Sequence, residues 1–183
     1  ASPALRNMAT IAGNIGNASP AGDTLPILYI LDAVIKLESI HGSRVVPIAE
    51  LIVGPRKTTR KSTEMITEIQ LPKVIFTHSV FQKIGGRKAD AISKVSFTGA
   101  IRLHGNVVED IRIAYGAVGP IIRRNKELEK QYIGKTTEDL KNQLSKMKQD
   151  YHPFITPIDD QRSNKEYRLK VALNLLEQFI NEL

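Results

Sequence analysis

Cysteine is absent from this 183-residue chain, and aromatic residues make up only 5% of it. Without thiols it carries no disulfide, no thiolate zinc site and no cysteine-held iron–sulfur cluster of its own. That suits an intracellular, cytoplasmic protein. No apolar run approaches the ~18 residues of a membrane span. Ala1-Ser2-Pro3-Ala4-Leu5-Arg6 has neither an initiating Met nor a secretory-signal pattern, so the chain reads as a piece of something longer. Two common phosphate signatures are missing: there is no GxxxxGK[ST], and Gly13 and Gly16 do not make GxGxxG. Nothing around His152, Asp159 and Asp160 has metal-ligand spacing.

What is present is ordinary in bulk. Hydrophobic residues make up 42% and charged residues 25%, enough for one large domain or two small ones. The formal charge is +7. The basic pairs Arg56-Lys57, Arg60-Lys61, Arg87-Lys88 and Arg123-Arg124 are spread along the chain and mixed with acids. This fits a solvated surface, with a basic nucleotide- or RNA-binding module as the alternative.

The least ordinary stretch runs from Arg6 to Asp23. It holds three glycines and three asparagines, with neither strand alternation nor a helical stripe, and reads as a winding loop. Small residues let a backbone approach a ligand, and exposed N–H groups cradle phosphate or ribose oxygens. Hydroxyl, amide and carboxylate side chains add placed donors and acceptors. Asp23 and Thr24 before Pro26 form a helix start, with Leu25, Leu28, Leu31 and Val34 following at three-residue spacing. The loop thus feeds a helix N-terminus, which favours an anion. On the residues alone, a nucleotide site and a glycine-rich turn with a helix cap both stand.

Along the rest of the chain, the pattern predicts a helix to about Ala33, strands over 34–40 and from Arg44, a short helix at 47–52, and a strand over 65–71 stopped by Pro72. His41 falls in an exposed turn. Residues 74–80 link two units. Phe81–Ile84 reads as strand, and residues 95–103 and 107–115 as a hairpin turning at His104-Gly105-Asn106. A third strand is expected through Ile121-Ile122. Three helices close the chain: residues 125–132, a helix capped by Thr136 or Thr137 and running to about Asp150, and a last one opened by a Ser163–Glu166 capping box. On that last helix Tyr167, Val171, Leu175 and Phe179 form an apolar stripe with Leu176 and Ile180.

Arg6-Asn7-Met8-Ala9-Thr10-Ile11-Ala12-Gly13-Asn14-Ile15-Gly16-Asn17-Ala18-Ser19-Pro20-Ala21-Gly22-Asp23 resembles the second flavin-binding motif of the FAD subunit of molybdenum hydroxylases, the group of xanthine dehydrogenases, aldehyde oxidases and aerobic carbon monoxide dehydrogenases. Ala12 replaces a usual glycine, which matters if that position needs positive φ. Further resemblances in the expected order lie near residues 54–72, beginning Gly54-Pro55-Arg56-Lys57-Thr58, and near 81–95, 114–120 and 162–168.

The resemblance implies an α+β fold: a mixed or antiparallel sheet subdomain of the FAD-binding fold, then a three-stranded antiparallel sheet packed with a helical bundle. Residues 1–75 would be the second FAD subdomain, the first being absent, and 76–183 a carbon monoxide dehydrogenase flavoprotein C-terminal-like domain. It further implies that Thr10, Ala12, Gly13, Asn14, Ser19 and Asp23 bind FAD, that Ile66 packs on the flavin, and that Lys83 contacts it and stabilises negative charge on reduced flavin. No acid, base or nucleophile is expected from this chain. Molybdopterin and iron–sulfur clusters belong to partner subunits, NAD is the expected acceptor, and nucleic acid and membrane are not expected partners. Alone, the fragment is expected to be inactive and to bind FAD weakly.

Overall fold

The computed structural model describes residues 2–183. Its first part runs α1 (Pro3–Met8), α2 (Ile11–Asn17), α3 (Thr24–Ile30), β1 (Val34–Ser39), β2 (Gly42–Pro47), α4 (Ile48–Leu51), β3 (Ile52–Gly54), β4 (Lys57–Thr58) and β5 (Met65–Gln70). The second part runs β6 (His78–Ile84), β7 (Val95–His104), β8 (Val107–Gly116), β9 (Arg123–Arg124), α5 (Lys126–Lys130), α6 (Thr137–Asn142), α7 (Leu144–Tyr151) and α8 (Lys165–Asn181).

The first sheet is antiparallel with strand order β2-β1-β5. Alternation along β1 turns Ile35 and Leu37 inward, while Lys36 faces out and pairs with Glu38 and Glu68. The second sheet is antiparallel with order β6-β7-β8-β9.

The β7–β8 ladder decides how everything else packs. On one face Val95, Phe97, Ile101, Ile111, Ile113 and Tyr115 present large side chains to α8, where Leu176, Phe179 and Ile180 close the larger core. Gly99 makes room for Phe179: a Cβ there would lie 2.9 Å from its ring. The other face carries Ser96, Thr98, Ala100, Ala114 and Gly116, and α3 lies on it. Its side chains are small, so the helix approaches closely. A Cβ at Gly116 would stand 3.1 Å from Pro26 and clash with the Ser96 hydroxyl. Ala100, Ala114 and Ile122 therefore belong to the same hydrophobic cluster as Leu25, Leu28 and Ile35. The second sheet is thus a shared wall between the two cores.

Cations from the second part clamp the end of α3. Arg112 donates to the Ile30 carbonyl (2.7 Å) and Arg124 to the Tyr29 carbonyl (2.5 Å), and both reach Asp32. These carbonyls carry the negative end of the helix dipole. Burial pushes the Glu129 carboxyl up even though Arg124 and the Ile113 N–H bind it.

Several expectations need correction. The second sheet has four strands, not three, because β6 joins its edge. The last strand is Arg123-Arg124, pairing with Tyr115 and Ala114, whereas Ile122 is buried in the cluster under α3. The helix expected to run to Asp150 divides at Gln143 into α6 and α7. The cap of α8 is Asn164, one residue later than expected, accepting from the Tyr167 N–H. Tyr167 is exposed, and Ala172 and Arg168 take the buried face instead. α3 stops at Ile30, short of Ala33, where its C-terminal carbonyls meet the arginines.

Candidate functional site

The stretch expected to be a loop is largely helical. Thr10 caps α2: its hydroxyl accepts from the Gly13 N–H at 2.9 Å. A Cβ on Gly13 would lie 3.0 Å from that oxygen. The helix is short and outward-facing, and Ile15 is its one fully buried anchor. Asparagine, threonine and glycine do not form a stripe, so periodicity could not reveal it. Ala12 sits in the first turn and is not among the residues with positive φ. Alanine in place of glycine is therefore without backbone strain there. The left-handed residue is Ala18, φ 45°, which ends α2.

Next, the chain turns back on itself. The Gly22 N–H donates to the Ser19 carbonyl (2.9 Å) and the Ala21 N–H to the Ser19 hydroxyl (3.3 Å). Asn14 accepts from the Thr24 hydroxyl at 2.6 Å. Gly22 packs under it, with 3.0 Å between a built Cβ and the Asn14 Oδ1.

Asp23 stands at the cap position of α3 but makes no capping bond. The reason is Pro26. A cap side chain bonds the N–H of the second or third helical residue. Pro26, the third, has no N–H, and the Leu25 N–H is taken by the Gly22 carbonyl. The carboxylate is left free and turns across to the second part of the chain. Its Oδ2 meets Lys83 Nζ at 2.5 Å, and its Oδ1 accepts from Ser93 Oγ at 2.6 Å.

Asp23 and Lys83 line an open cleft of about 510 Å³, rimmed by Arg6, Arg87, Lys88 and Asp90. Four cations against two acids give it a positive balance. Of the expected site residues, Asp23 and Lys83 meet in this cleft. Thr10, Ala12 and Gly13 lie on the first turn of α2, and Asn14 and Ser19 brace the turn behind it. Ile66 does not line the cleft; half-buried on β5, it packs against the first core.

Two contributors escaped sequence reasoning. One is Ser93, almost fully buried, which borders a neighbouring pocket with Ser19 and Arg168 and reaches the cleft through Asp23. The other is Arg168, 4% exposed, which donates to the carbonyls of Lys94 and Ala117 and to Asp160. Burial alone would raise the Asp160 carboxyl; the Arg162 and Ser163 N–H groups and the Arg168 guanidinium hold it below its usual range. An arginine four residues before Ala172, on the buried stripe of α8, was the available sign.

Residues 1–74 match the family model described as the FAD binding domain in molybdopterin dehydrogenase, and residues 80–183 match that of the CO dehydrogenase flavoprotein C-terminal domain. The chain belongs to the flavoprotein family of the molybdenum hydroxylases. Within that family it is 37% identical over 182 residues to the glyceraldehyde dehydrogenase medium chain of Sulfolobus acidocaldarius, covering 98% of this chain and 63% of the relative. It is 26% identical to the carbon monoxide dehydrogenase medium chain of Hydrogenophaga pseudoflava, covering 99% and 62%. Among solved structures, reconstituted CO dehydrogenase from Oligotropha carboxidovorans superposes with a TM-score of 0.86 at 25% identity, over 97% of this chain and 62% of that one. Quinoline 2-oxidoreductase from Pseudomonas putida 86 shares the fold, with a TM-score of 0.88 at 21% identity, over 100% and 62%. The chain thus spans somewhat under two thirds of the flavoprotein chains it matches. No helix among the described residues is long and apolar enough to cross a membrane. Many cations of this family member are committed to carboxylates, among them Lys36, Arg44, Arg112, Arg124 and Arg168, which weighs against an RNA-binding groove.

Proposed function

We propose that this chain is the FAD-holding, electron-transfer part of a molybdenum hydroxylase. In this reading, a molybdopterin partner subunit oxidises the substrate, and electrons pass through an iron–sulfur partner subunit and FAD to NAD or another acceptor. The flavin supplies the redox chemistry when bound. The chain's own residues bind and tune it. We assign the hydrogen-bonding work to Thr10, Ala12, Gly13, Asn14, Ser19 and Asp23, and the contact to the reacting ring to Lys83; Ile66, packed against the first core outside the cleft, is given no ring contact. The donor set fits a dinucleotide. Arg6, Arg87 and Lys88 balance its phosphate charge, and Gly13 and Gly22 sit where a Cβ would crowd the turn. We also propose that residues 1–75 and 76–183 are the two units of this part, in support of which the family models end at 74 and begin at 80.

One observation carries the reading: Asp23, from the first matched region, and Lys83, from the second, converge in one cation-rich cleft. The test is to co-purify the longer subunit with its partner subunits and record the visible spectrum. Flavin bands are expected; a preparation that stays colourless in that region after FAD is supplied refutes the proposal. For residues 1–183 alone, fluorescence titration is expected to show weak FAD binding, and sub-micromolar affinity would contradict the view that part of the cleft lies elsewhere.

A further inference from the structure

We propose that Ser93 is a positioning residue, which holds the Asp23 carboxylate so that Lys83 stays aimed into the cleft. The role assigned to Lys83 rests on the flavin-binding reading; the geometry of the three side chains does not. Ser93 is 1% exposed, and its hydroxyl donates to Asp23 Oδ1 at 2.6 Å. The other carboxylate oxygen carries Lys83 at 2.5 Å. A carboxylate gripped at both oxygens has one orientation, and the lysine it pairs with has one position.

No other side chain in the described residues restrains Asp23. Pro26 removes the capping N–H that would otherwise attract it, as described above. Ser93 itself is well placed to act as a fixed post. Residues 85–93 leave the second sheet as an excursion whose neck is closed by the Lys94 N–H donating to the Ile84 carbonyl at 2.8 Å. Gly85 lets the two arms touch, since a Cβ there would lie 2.8 Å from that of Ala91. Below the neck, Arg168 binds the Lys94 carbonyl. Ser93 therefore stands on a braced base, and through Asp23 it ties that base to the Arg6–Asp23 stretch.

The test has two readouts. The first needs no cofactor: the ¹⁵N–¹H signal of the Lys83 ammonium group, visible when a fixed partner slows its exchange with water. Ser93→Ala is expected to lose that signal, and Ser93→Thr, which keeps the hydroxyl, to retain it. In an Asp23→Asn background, Ser93→Ala is expected to change nothing further, the signal already being lost. The second readout is FAD affinity by fluorescence quenching. Ser93→Ala is expected to weaken it about tenfold, the scale of one lost hydrogen bond to a charged group, while Ser93→Thr stays near wild type. Circular dichroism confirms that each variant is folded. If Ser93→Ala keeps the Lys83 signal, or binds FAD as wild type does, the proposal is overturned. Should Ser93→Ala fail to fold, Ser93→Thr losing the signal would overturn it as well. Wild type showing the Lys83 signal but no FAD binding would count against the flavin reading and leave the Ser93 geometry standing.

Discussion

The α8 helix and the α2 segment are built on opposite principles. α8 has seventeen residues and buries Arg168, Ala172, Leu175, Leu176, Phe179 and Ile180 against the sheet. α2 has seven residues and buries only Ile15. One is held by area removed from water, which is non-directional and cumulative. The other is held by a cap, a left-handed residue and a few side-chain hydrogen bonds, each worth about 0.5–1.5 kcal/mol. The difference separates two tasks. A scaffold helix must resist change, whereas a ligand-binding segment must leave its backbone and polar groups exposed, and so belongs to the less stable part of the structure.

Breaking the scaffold side should cost most. Phe179→Ala removes the ring that Gly99 accommodates and should destabilise by about 3–5 kcal/mol in chemical denaturation. A loss under about 1 kcal/mol would mean α8 is not the main buttress. Arg168→Ala comes next. It leaves the Lys94 and Ala117 carbonyls without their side-chain donor and removes one of the several donors on Asp160, and lost hydrogen bonds to a charged group cost about 1.5–3 kcal/mol. Thermal melts should rank it just below Phe179→Ala.

A smaller effect should appear with acid. Hydrogen bonds from the Arg44 guanidinium and the Lys61 N–H hold the Glu64 carboxyl at about 2, down from 4.5. A depressed carboxyl stabilises the fold fully above its unfolded value and loses that contribution as pH falls through its folded one. Glu64→Gln should therefore flatten the pH dependence of the melting temperature between about 4.5 and 2. An unchanged slope would show that Glu64 stays paired after unfolding.

The smallest effect belongs to the site segment. Ala12→Gly restores the residue usual in the family yet should destabilise slightly, by about 0.5–1 kcal/mol, because Ala12 is helical. A stabilising result would show that this position wants a positive φ and would revise the account of α2.

Much of the scaffold was legible. Residues 95–103 and 107–115 alternate and flank a glycine turn, and Leu140, Met147, Leu175 and Phe179 recur at helical spacing, because burial imposes its period on the sequence. The site was legible as composition and as family resemblance, through Arg6–Asp23 and Lys83. Its shape was not. Short helices owe little to periodicity, and the Thr10 cap looks like any threonine until the Gly13 N–H is placed beneath it.

From the sequence alone came the absence of thiols, the strands and helices with a buried period, and the glycine- and asparagine-rich motif that marks the family. Tertiary structure alone decided that β6 joins the second sheet, that the sheet's small-residue face receives α3, and that Asp23 leaves its helix for Lys83 and Ser93. Periodicity records which residues face a neighbour. It holds no record of which neighbour, and contacts 60 and 70 residues apart along the chain are set only once both sheets have closed.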